Sequence, residues 1–183
     1  MEYILLLTAC INPDGMPFTC LADVGVRKKQ YIEALNFCLK NTTRKIVFVE
    51  NSGTDISSSF KDFQHRIEFL CFDGNLCFDK RKGKGYGEAL ILEYAMAKSE
   101  FITDDVLIFK LTGRLQLINI NRLIHYMDKL SPSKNFVCVV PPQNNSVDSR
   151  CFVCNKYYLE NIFLKDKFHI CLLYTSPSPR DYA

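Results

Sequence analysis

The chain has 183 residues, 48% of them hydrophobic and 23% charged, and it carries a formal net charge of +3. This composition is typical of one globular domain that can bury a substantial core, and it excludes an intrinsically disordered chain. The net charge is mild and no basic stripe is evident, so nucleic acid is not among the expected partners.

The first half of the chain alternates apolar segments of strand length with segments of helical periodicity. Residues 3–9 form a continuous apolar run of strand length and predict a first strand. The run is too short for a signal peptide and lacks its cationic leader. A helix from Val24 that ends at Asn41 and Thr42, a strand over 45–51, a short helix over 55–63 and a strand over 67–72 are predicted next. The strand segments are continuously apolar, which indicates burial on both faces.

The second half continues the alternation after a glycine-rich cationic segment, residues 79–88 (DKRKGKGYGE), which is predicted to be a flexible loop. Predicted elements then follow as helices over 87–99, 119–130 and 156–164 and strands over 106–112, 136–140 and 151–154. This order predicts an α/β fold, a Rossmann-like and mostly parallel sheet flanked by helices on both faces. No segment approaches the roughly 18 apolar residues expected of a membrane span.

The end of the chain differs in character from the rest. Residues 171–181 (CLLYTSPSPRD) resemble the translation of a sequencing adapter. We therefore predict one domain over residues 1–170, incomplete at its C-terminus, and a non-native tail over residues 171–183. A natural terminus rich in serine and proline is the alternative.

The cysteines and histidines do not predict a metal or catalytic centre. Nine cysteines, an odd number spread through apolar segments, are typical of reduced thiols in a cytosolic protein. Cys151 and Cys154 have the spacing of a metal-binding pair, but no second pair accompanies them, so core packing is the favoured interpretation. We interpret His65, His125 and His169 as structural.

Polar side chains follow the predicted strands at their carboxyl ends, where ligands bind in parallel sheets. The candidates are Thr8 at the end of the first strand and Asn12 after it, Glu50 and Asn51 at the end of the second, Lys110 and Thr112 at the end of the fourth and Arg114 after it, and Asp148 and Arg150 after the fifth. Because these ends share one edge of the sheet, we expect a ligand site at that edge.

The segment 79–88 is a candidate for binding a phosphorylated ligand at this edge. Lys82 and Lys84 supply positive charge, Gly85 permits close approach of the backbone, and Tyr86 lies between two glycines. The glycine spacing matches neither the dinucleotide fingerprint nor the P-loop. The alternative is a solvated turn whose cations only keep it soluble.

The segment KLTGR, residues 110–114, is the second cationic candidate. Arg114 is expected to pair bidentately with a phosphate or carboxylate, with Lys110 as a second charge; the alternative is a charged strand exit that reaches water. Asp148 and Arg150 either form a salt bridge with each other, or Asp148 is a general base or metal ligand beside the same site.

Several motifs together resemble a family of bacterial glycosyltransferases encoded in surface-polysaccharide gene clusters, those for O-antigen or capsule. They are LTACINPDGMPF, Arg27-x-x-Gln30-Tyr31, IVFVENSGTD, KGKGYGE, KLTGR and DSRCFV, and the resemblance covers about residues 3–165. It implies a GT-A-like fold and a nucleotide-sugar donor. It further implies that the first-strand loop, Glu50 and Asn51 hold the nucleotide, and that Arg27 and the cationic segments lie near the diphosphate or the acceptor.

The chain departs from this family pattern at one position. Such enzymes commonly hold a divalent metal with an acidic DxD pair after the fourth strand, where this chain reads Lys-Leu-Thr-Gly-Arg. Asp104 and Asp105 precede that strand and so lie at its other end. No cofactor is therefore assigned, metal dependence is left open, and cations could replace the metal in neutralising the leaving diphosphate. Asp148 is the candidate catalytic base.

The expected function is transfer of a sugar from a nucleotide-sugar donor to a growing glycan or lipid-linked glycan acceptor. The resemblance implies a cytoplasmic location, which would allow peripheral contact with the cytoplasmic face of the inner membrane. Two alternatives are a non-catalytic nucleotide- or phosphate-binding α/β module and another nucleotide-using transferase.

Overall fold

A computed structural model describes residues 2–16, 19–76, 79–129, 136–138 and 149–165. The strands are β1 (Glu2–Ala9), β2 (Lys45–Glu50), β3 (Ile67–Cys71), β4 (Val106–Thr112), β5 (Phe136–Cys138) and β6 (Cys151–Asn155). The helices are α1 (Val24–Asn41), α2 (Gly83–Lys98), α3 (Ile120–Asp128) and α4 (Lys156–Tyr158), the last continuing as a π-helical turn over Leu159–Phe163. Short 3-10 helices span Ser57–Phe63, Gly74–Leu76 and Lys80–Lys82.

The strands form one mixed sheet in the order β3-β2-β1-β4-β6-β5. Neighbouring strands from β3 to β4 are parallel, whereas β6 is antiparallel to both β4 and β5. The α/β, mostly parallel fold predicted from the sequence is therefore confirmed. The order runs outward from β1 in both directions, so the crevice between the carboxyl ends of β1 and β4 is the place where ligands bind in sheets of this kind.

Alternate residues of β1 pack against helices on opposite faces of the sheet. Leu5 and Leu7 lie in one core cluster with residues of α1 and α3, and Ile4 and Leu6 lie in a second cluster with residues of α2. All four are fully buried, and each such side chain stabilises the fold by roughly 1.5–3 kcal/mol. The two clusters are the reason that the strand is continuously apolar from Tyr3 to Leu7.

The first helix begins and ends as its sequence predicts. The side chain of Asp23 accepts a hydrogen bond from the Val26 N–H at 2.7 Å and caps the helix N-terminus. At the other end, both the N–H and the hydroxyl of Thr42 donate to the Cys38 carbonyl. These bonds use helix-terminal groups that would otherwise be unpaired.

The start of α2 corrects the sequence prediction. The helix was expected from residue 87, after a flexible cationic loop, but it begins at Gly83, directly after a 3-10 turn. Gly83 has φ +80°, which only glycine adopts without strain, and it separates the turn from the helix. Gly85 and Gly87 are buried within the helix, so the tertiary packing outweighs their unfavourable helix propensity of about 1 kcal/mol each.

Other differences from the prediction are small or lie outside the described residues. The predicted helix over 55–63 is a 3-10 helix, and Asp55 accepts a hydrogen bond from the Ser57 N–H at its start. Asp148, His169 and the predicted tail over 171–183 lie outside the described residues. Across the described part of the chain, no helix combines the length and apolar character needed to cross a bilayer.

Candidate functional site

The carboxyl ends of β1 and β4 lie side by side. Thr8 is directly opposite Thr112 in the parallel pairing, and the Gly113 N–H donates to the Thr8 carbonyl at 2.8 Å. A Cβ at Gly113 would lie 2.8 Å from that carbonyl oxygen and 3.2 Å from the Tyr31 ring. Only glycine therefore lets the turn after β4 approach β1 this closely.

Glu50 organises the loops that follow β1 and β2. It is buried, and its carboxylate accepts hydrogen bonds from the N–H groups of Ile11 (2.8 Å), Ser52 (2.9 Å) and Thr54 (2.8 Å) and from the Ser52 hydroxyl. Burial, with the nearby Glu50 charge, raises the pKa of Cys71 to about 11. Glu50 thus shapes the wall of the site by holding backbone.

The two predicted asparagines border the same wall. The Asn12 N–H donates to the Ser52 hydroxyl at 2.9 Å, and the side-chain oxygen of Asn12 accepts a hydrogen bond from the Asp14 N–H. The Asn51 N–H donates to the Ala9 carbonyl, which ties the end of β2 to β1. Asn51 Oδ1 is buried without a hydrogen-bond partner among the described residues. A buried polar atom of this kind requires an explanation, and a ligand or water donor is one.

Arg27 and Tyr31 attach α1 to the end of β1. Arg27 is only 6% exposed, and its guanidinium donates to the carbonyls of Cys10, Ile11 and Leu21. The Tyr31 hydroxyl accepts from the Cys10 N–H at 2.9 Å, and burial raises the pKa of this phenol. Arg27 therefore holds the loop after β1, and its predicted contact with a phosphate stays a prediction.

Arg114 lies on the turn after β4 and is held by α1. Its Nη1 donates to Gln30 Oε1 at 3.1 Å, which orients the guanidinium. Its Nε is buried and has no hydrogen-bond partner among the described residues. Arg27, Gln30 and Tyr31 follow the i, i+3, i+4 spacing of one helix face, so the motif R-x-x-Q-Y delivers all three to this edge of the sheet.

Lys110 is deeply buried beneath the crevice. Its side chain has 0% exposure, and its ammonium donates to the Glu88 carboxylate and, at 2.6 Å, to the Ser149 carbonyl. Thr8 Oγ1 donates to the same Glu88 oxygen at 3.0 Å. The Lys110 charge is thus already paired and covered, and its predicted role as a direct phosphate contact stays a prediction.

Glu88 ends the candidate segment 79–88, but it was not among the individual site residues predicted from the sequence. It lies on α2, and its side chain remains 20% exposed. The signal was present, because Glu88 lies at i−3, i−4 and i−7 from the buried Ile91, Leu92 and Ala95. A carboxylate on the apolar face of a helix indicates a buried partner, and that partner is Lys110.

The N-terminal part of α2 brings further cations to the same edge. Lys82 Nζ lies 4.5 Å from the centre of the Tyr86 ring, one helical turn away, and both Lys82 and Lys84 are partly buried. Arg81 is exposed and forms a bidentate pair with Asp79, which lowers the pKa of that carboxyl. The helix N-terminus adds partial positive charge.

The turn before β6 is fixed to β4 by two hydrogen bonds. The Thr112 N–H donates to the Arg150 carbonyl at 2.8 Å, and Lys110 donates to the Ser149 carbonyl. The bond from Thr112 places Arg150 beside the end of β4, and the Arg150 side chain is exposed there. Asp148, the predicted catalytic base, precedes this turn and lies outside the described residues, so its three alternative roles stay predictions.

Comparisons with models of known families and with curated proteins found no match. The resemblance to surface-polysaccharide glycosyltransferases therefore stays a prediction. The geometry of the crevice is the physical support for an anionic ligand.

The possible metal ligands noted in the sequence are the pair Cys151 and Cys154 and the adjacent acids Asp104 and Asp105. Cys151 packs in the first core cluster and Cys154 in the second, so the two thiols lie on opposite faces of the sheet. Asp104 forms an ion pair with Lys156 at 3.4 Å, before the start of β4. The described residues contain no group of three or more His, Cys, Asp or Glu side chains that could hold a metal ion.

Proposed function

We propose that this chain is the nucleotide-sugar-binding domain of a glycosyltransferase that extends a surface polysaccharide. The donor diphosphate would occupy the crevice between the carboxyl ends of β1 and β4. The acceptor would be a growing glycan or a lipid-linked glycan, and the enzyme would act in the cytoplasm, at the inner face of the membrane. The motif resemblance supports the reaction class, and the contacts of the site support an anionic ligand.

The observation that carries the proposal is the state of Arg114. A buried guanidinium N–H without an acceptor costs free energy, roughly 1–3 kcal/mol. Gln30 holds the other side of the same guanidinium, so its orientation is fixed before a ligand arrives. A phosphate oxygen is the acceptor that best suits this group, because an arginine can offer it two parallel N–H donors.

The surrounding charges support the same ligand. Glu88 bonds to Thr8 near the end of β1, so the start of α2, with Lys82 and Lys84 before Glu88, lies towards the carboxyl edge of the sheet. Arg150 is exposed beside the end of β4. During transfer, an acceptor hydroxyl oxygen forms a bond to the anomeric carbon and its proton passes to a base, for which Asp148 is the candidate. The bond between that carbon and the diphosphate oxygen breaks, and negative charge grows on the leaving diphosphate. Fixed cations stabilise that charge most when they are oriented in advance.

The test is to measure binding of UDP, GDP and dTDP by calorimetry, and release of each diphosphate from its sugar nucleotides in the presence of a glycan acceptor. The Arg114→Ala variant is expected to bind the preferred diphosphate at least about tenfold more weakly while its free energy of unfolding stays close to that of the wild type. Gln30→Ala is expected to weaken binding by a smaller factor. Arg122→Ala, an exposed arginine of α3, is the matched control.

One outcome tests the role of Arg114, and a second separates the candidate functions. Unchanged diphosphate binding by Arg114→Ala would contradict the assigned role of this residue. Binding without turnover, across the panel of donors and acceptors, would favour a non-catalytic nucleotide- or phosphate-binding module.

A further inference from the structure

The pair of Glu88 and Lys110 is asymmetric in its exposure. The ammonium of Lys110 is fully enclosed by the Glu88 carboxylate, the Ser149 carbonyl and the Phe152 ring, whose centre lies 5.6 Å away. The Glu88 side chain is 20% exposed. A ligand in the crevice would therefore have access to the Glu88 side chain and none to the ammonium.

The orientation of the Glu88 carboxylate is determined by two residues of the sheet on which α2 packs. Lys110 and the Thr8 hydroxyl donate to the same oxygen, Oε1, and they come from two adjacent strands, β4 and β1. Two donors from rigid strands restrict the side chain to one conformation. A pair buried this deeply is weak evidence for stability, because apolar residues of similar volume often stabilise a core equally well.

The location of Glu88 limits what it can bind. Thr8, its hydrogen-bond partner, lies near the end of β1 and opposite Thr112, so the carboxylate lies at the same edge of the sheet as the turn that carries Arg114. Glu88 belongs to α2 on one face of the sheet, whereas Gln30 of α1 holds Arg114 from the other face. A phosphate would be repelled by a carboxylate but attracted by Arg114, Lys82 and Lys84. A carboxylate accepts hydrogen bonds, and the sugar attached to the diphosphate offers several hydroxyl donors.

We propose that Glu88 accepts a hydrogen bond from a hydroxyl group of the donor sugar, with Lys110 and Thr8 as the residues that position it. This inference rests on the proposed function, since it assigns the sugar of the same nucleotide-sugar ligand. It divides the crevice into a cationic part for the diphosphate and an anionic part for the sugar. Sugar selectivity would then depend on Glu88 and diphosphate affinity on Arg114.

The experiment compares two ligands on the same protein, a nucleoside diphosphate and the sugar nucleotide built from it. UDP with UDP-glucose and GDP with GDP-mannose are the probes, measured by calorimetry on the full chain. Glu88→Gln is expected to weaken binding of the sugar nucleotide by about tenfold and binding of the diphosphate by less than about twofold. Glu93→Gln, an exposed glutamate on the same helix, is expected to change neither.

A second variant guards against loss of folding. Glu88→Leu combined with Lys110→Met removes both charges and keeps the site apolar beneath the crevice, so it is expected to fold and to show the same selective loss of sugar-nucleotide binding. Equal losses for diphosphate and sugar nucleotide in both variants, or no loss in either, would overturn the role of Glu88. A wild-type chain that binds neither probe pair, nor dTDP and dTDP-glucose, would overturn the proposed function and this inference together, whereas the first two outcomes leave the function standing.

Discussion

The N–H of Gly113 donates a hydrogen bond to the carbonyl of Thr8 over 2.8 Å, which joins the turn after β4 directly to the end of β1. No side chain stands between the two backbones. The turn that carries Arg114 is therefore positioned by a main-chain contact, and the residue at 113 decides how close that contact can be.

Gly113→Ala is expected to destabilise the fold, because the added Cβ would lie 2.8 Å from the Thr8 oxygen and 3.2 Å from the Tyr31 ring. Neither neighbour is the end of a flexible chain, so we expect a loss of about 1–3 kcal/mol in the free energy of unfolding. Urea denaturation followed by circular dichroism measures it. Gly25→Ala, whose nearest neighbour is the Asp23 side chain at 3.3 Å, is the control and should change stability by less than half as much. Equal effects of the two substitutions would contradict the close approach.

The ion pair of Glu88 and Lys110 predicts strongly non-additive effects on stability. Glu88→Leu alone leaves a fully buried ammonium without its counter-charge, which is expected to cost about 3–5 kcal/mol. Lys110→Met alone should cost less, since the remaining carboxylate is partly exposed. The double variant should lie within about 1–2 kcal/mol of the wild type, because no uncompensated charge is left. Denaturant unfolding of all four proteins gives the coupling free energy, and additive losses would rule out a buried ion pair.

The buried thiol of Cys154 predicts a loss of stability at alkaline pH. Burial raises the pKa of Cys154 from 9.0 to about 12 in the folded protein. The unfolded chain therefore loses this proton first, so the contribution is complete below pH 9 and is lost as pH rises from about 9 towards 12. Its slope is at most roughly 1.4 kcal/mol per pH unit.

The measurement is the free energy of unfolding between pH 8 and pH 10.5 for the wild type and for Cys154→Ala. The variant is expected to show the shallower decline with pH. Val153→Ala, a buried neighbour on the same strand that does not titrate, controls for the cavity and should decline as steeply as the wild type. Parallel curves for all three proteins would show that the thiol does not contribute.

The strands were largely predictable because their signal is local. β4 matches its predicted bounds, and β2 and β3 end one residue earlier than predicted. β1, β2 and β4 are apolar at nearly every position since both of their faces are covered, and that pattern is readable without knowledge of the neighbours. The antiparallel direction of β6 was not readable, because it depends on the path of the chain after β5.

The start of α2 shows where local reasoning fails. Three glycines and several cations at 79–88 indicate a flexible loop when only propensity is considered. Burial of Gly85 and Gly87 against the rest of the fold outweighs that propensity, and the helix extends back to Gly83. The free energy that decides the helix start comes from residues distant in the sequence.

The site residues divide in the same way. Their collection at one edge of the sheet followed from the order of the elements, since parallel strands end on the same side. What each charge pairs with did not follow. Arg27 and Lys110 were both predicted to contact the ligand, and the sequence did not show their partners within the protein. Arg27 donates to the carbonyls of Cys10, Ile11 and Leu21, and Lys110 is enclosed by Glu88, Ser149 and Phe152.

By itself, the sequence determined the α/β class, the order of the elements, and the edge where polar groups gather, because apolar periodicity is a local property of the chain. Only the tertiary structure decided which cations are paired and which keep an unused donor. That difference depends on contacts such as Thr8 with Glu88, 80 residues apart, and Gln30 with Arg114, 84 residues apart. The sequence shows the sign of each charged side chain, but tertiary packing sets the partner and the exposure of that side chain.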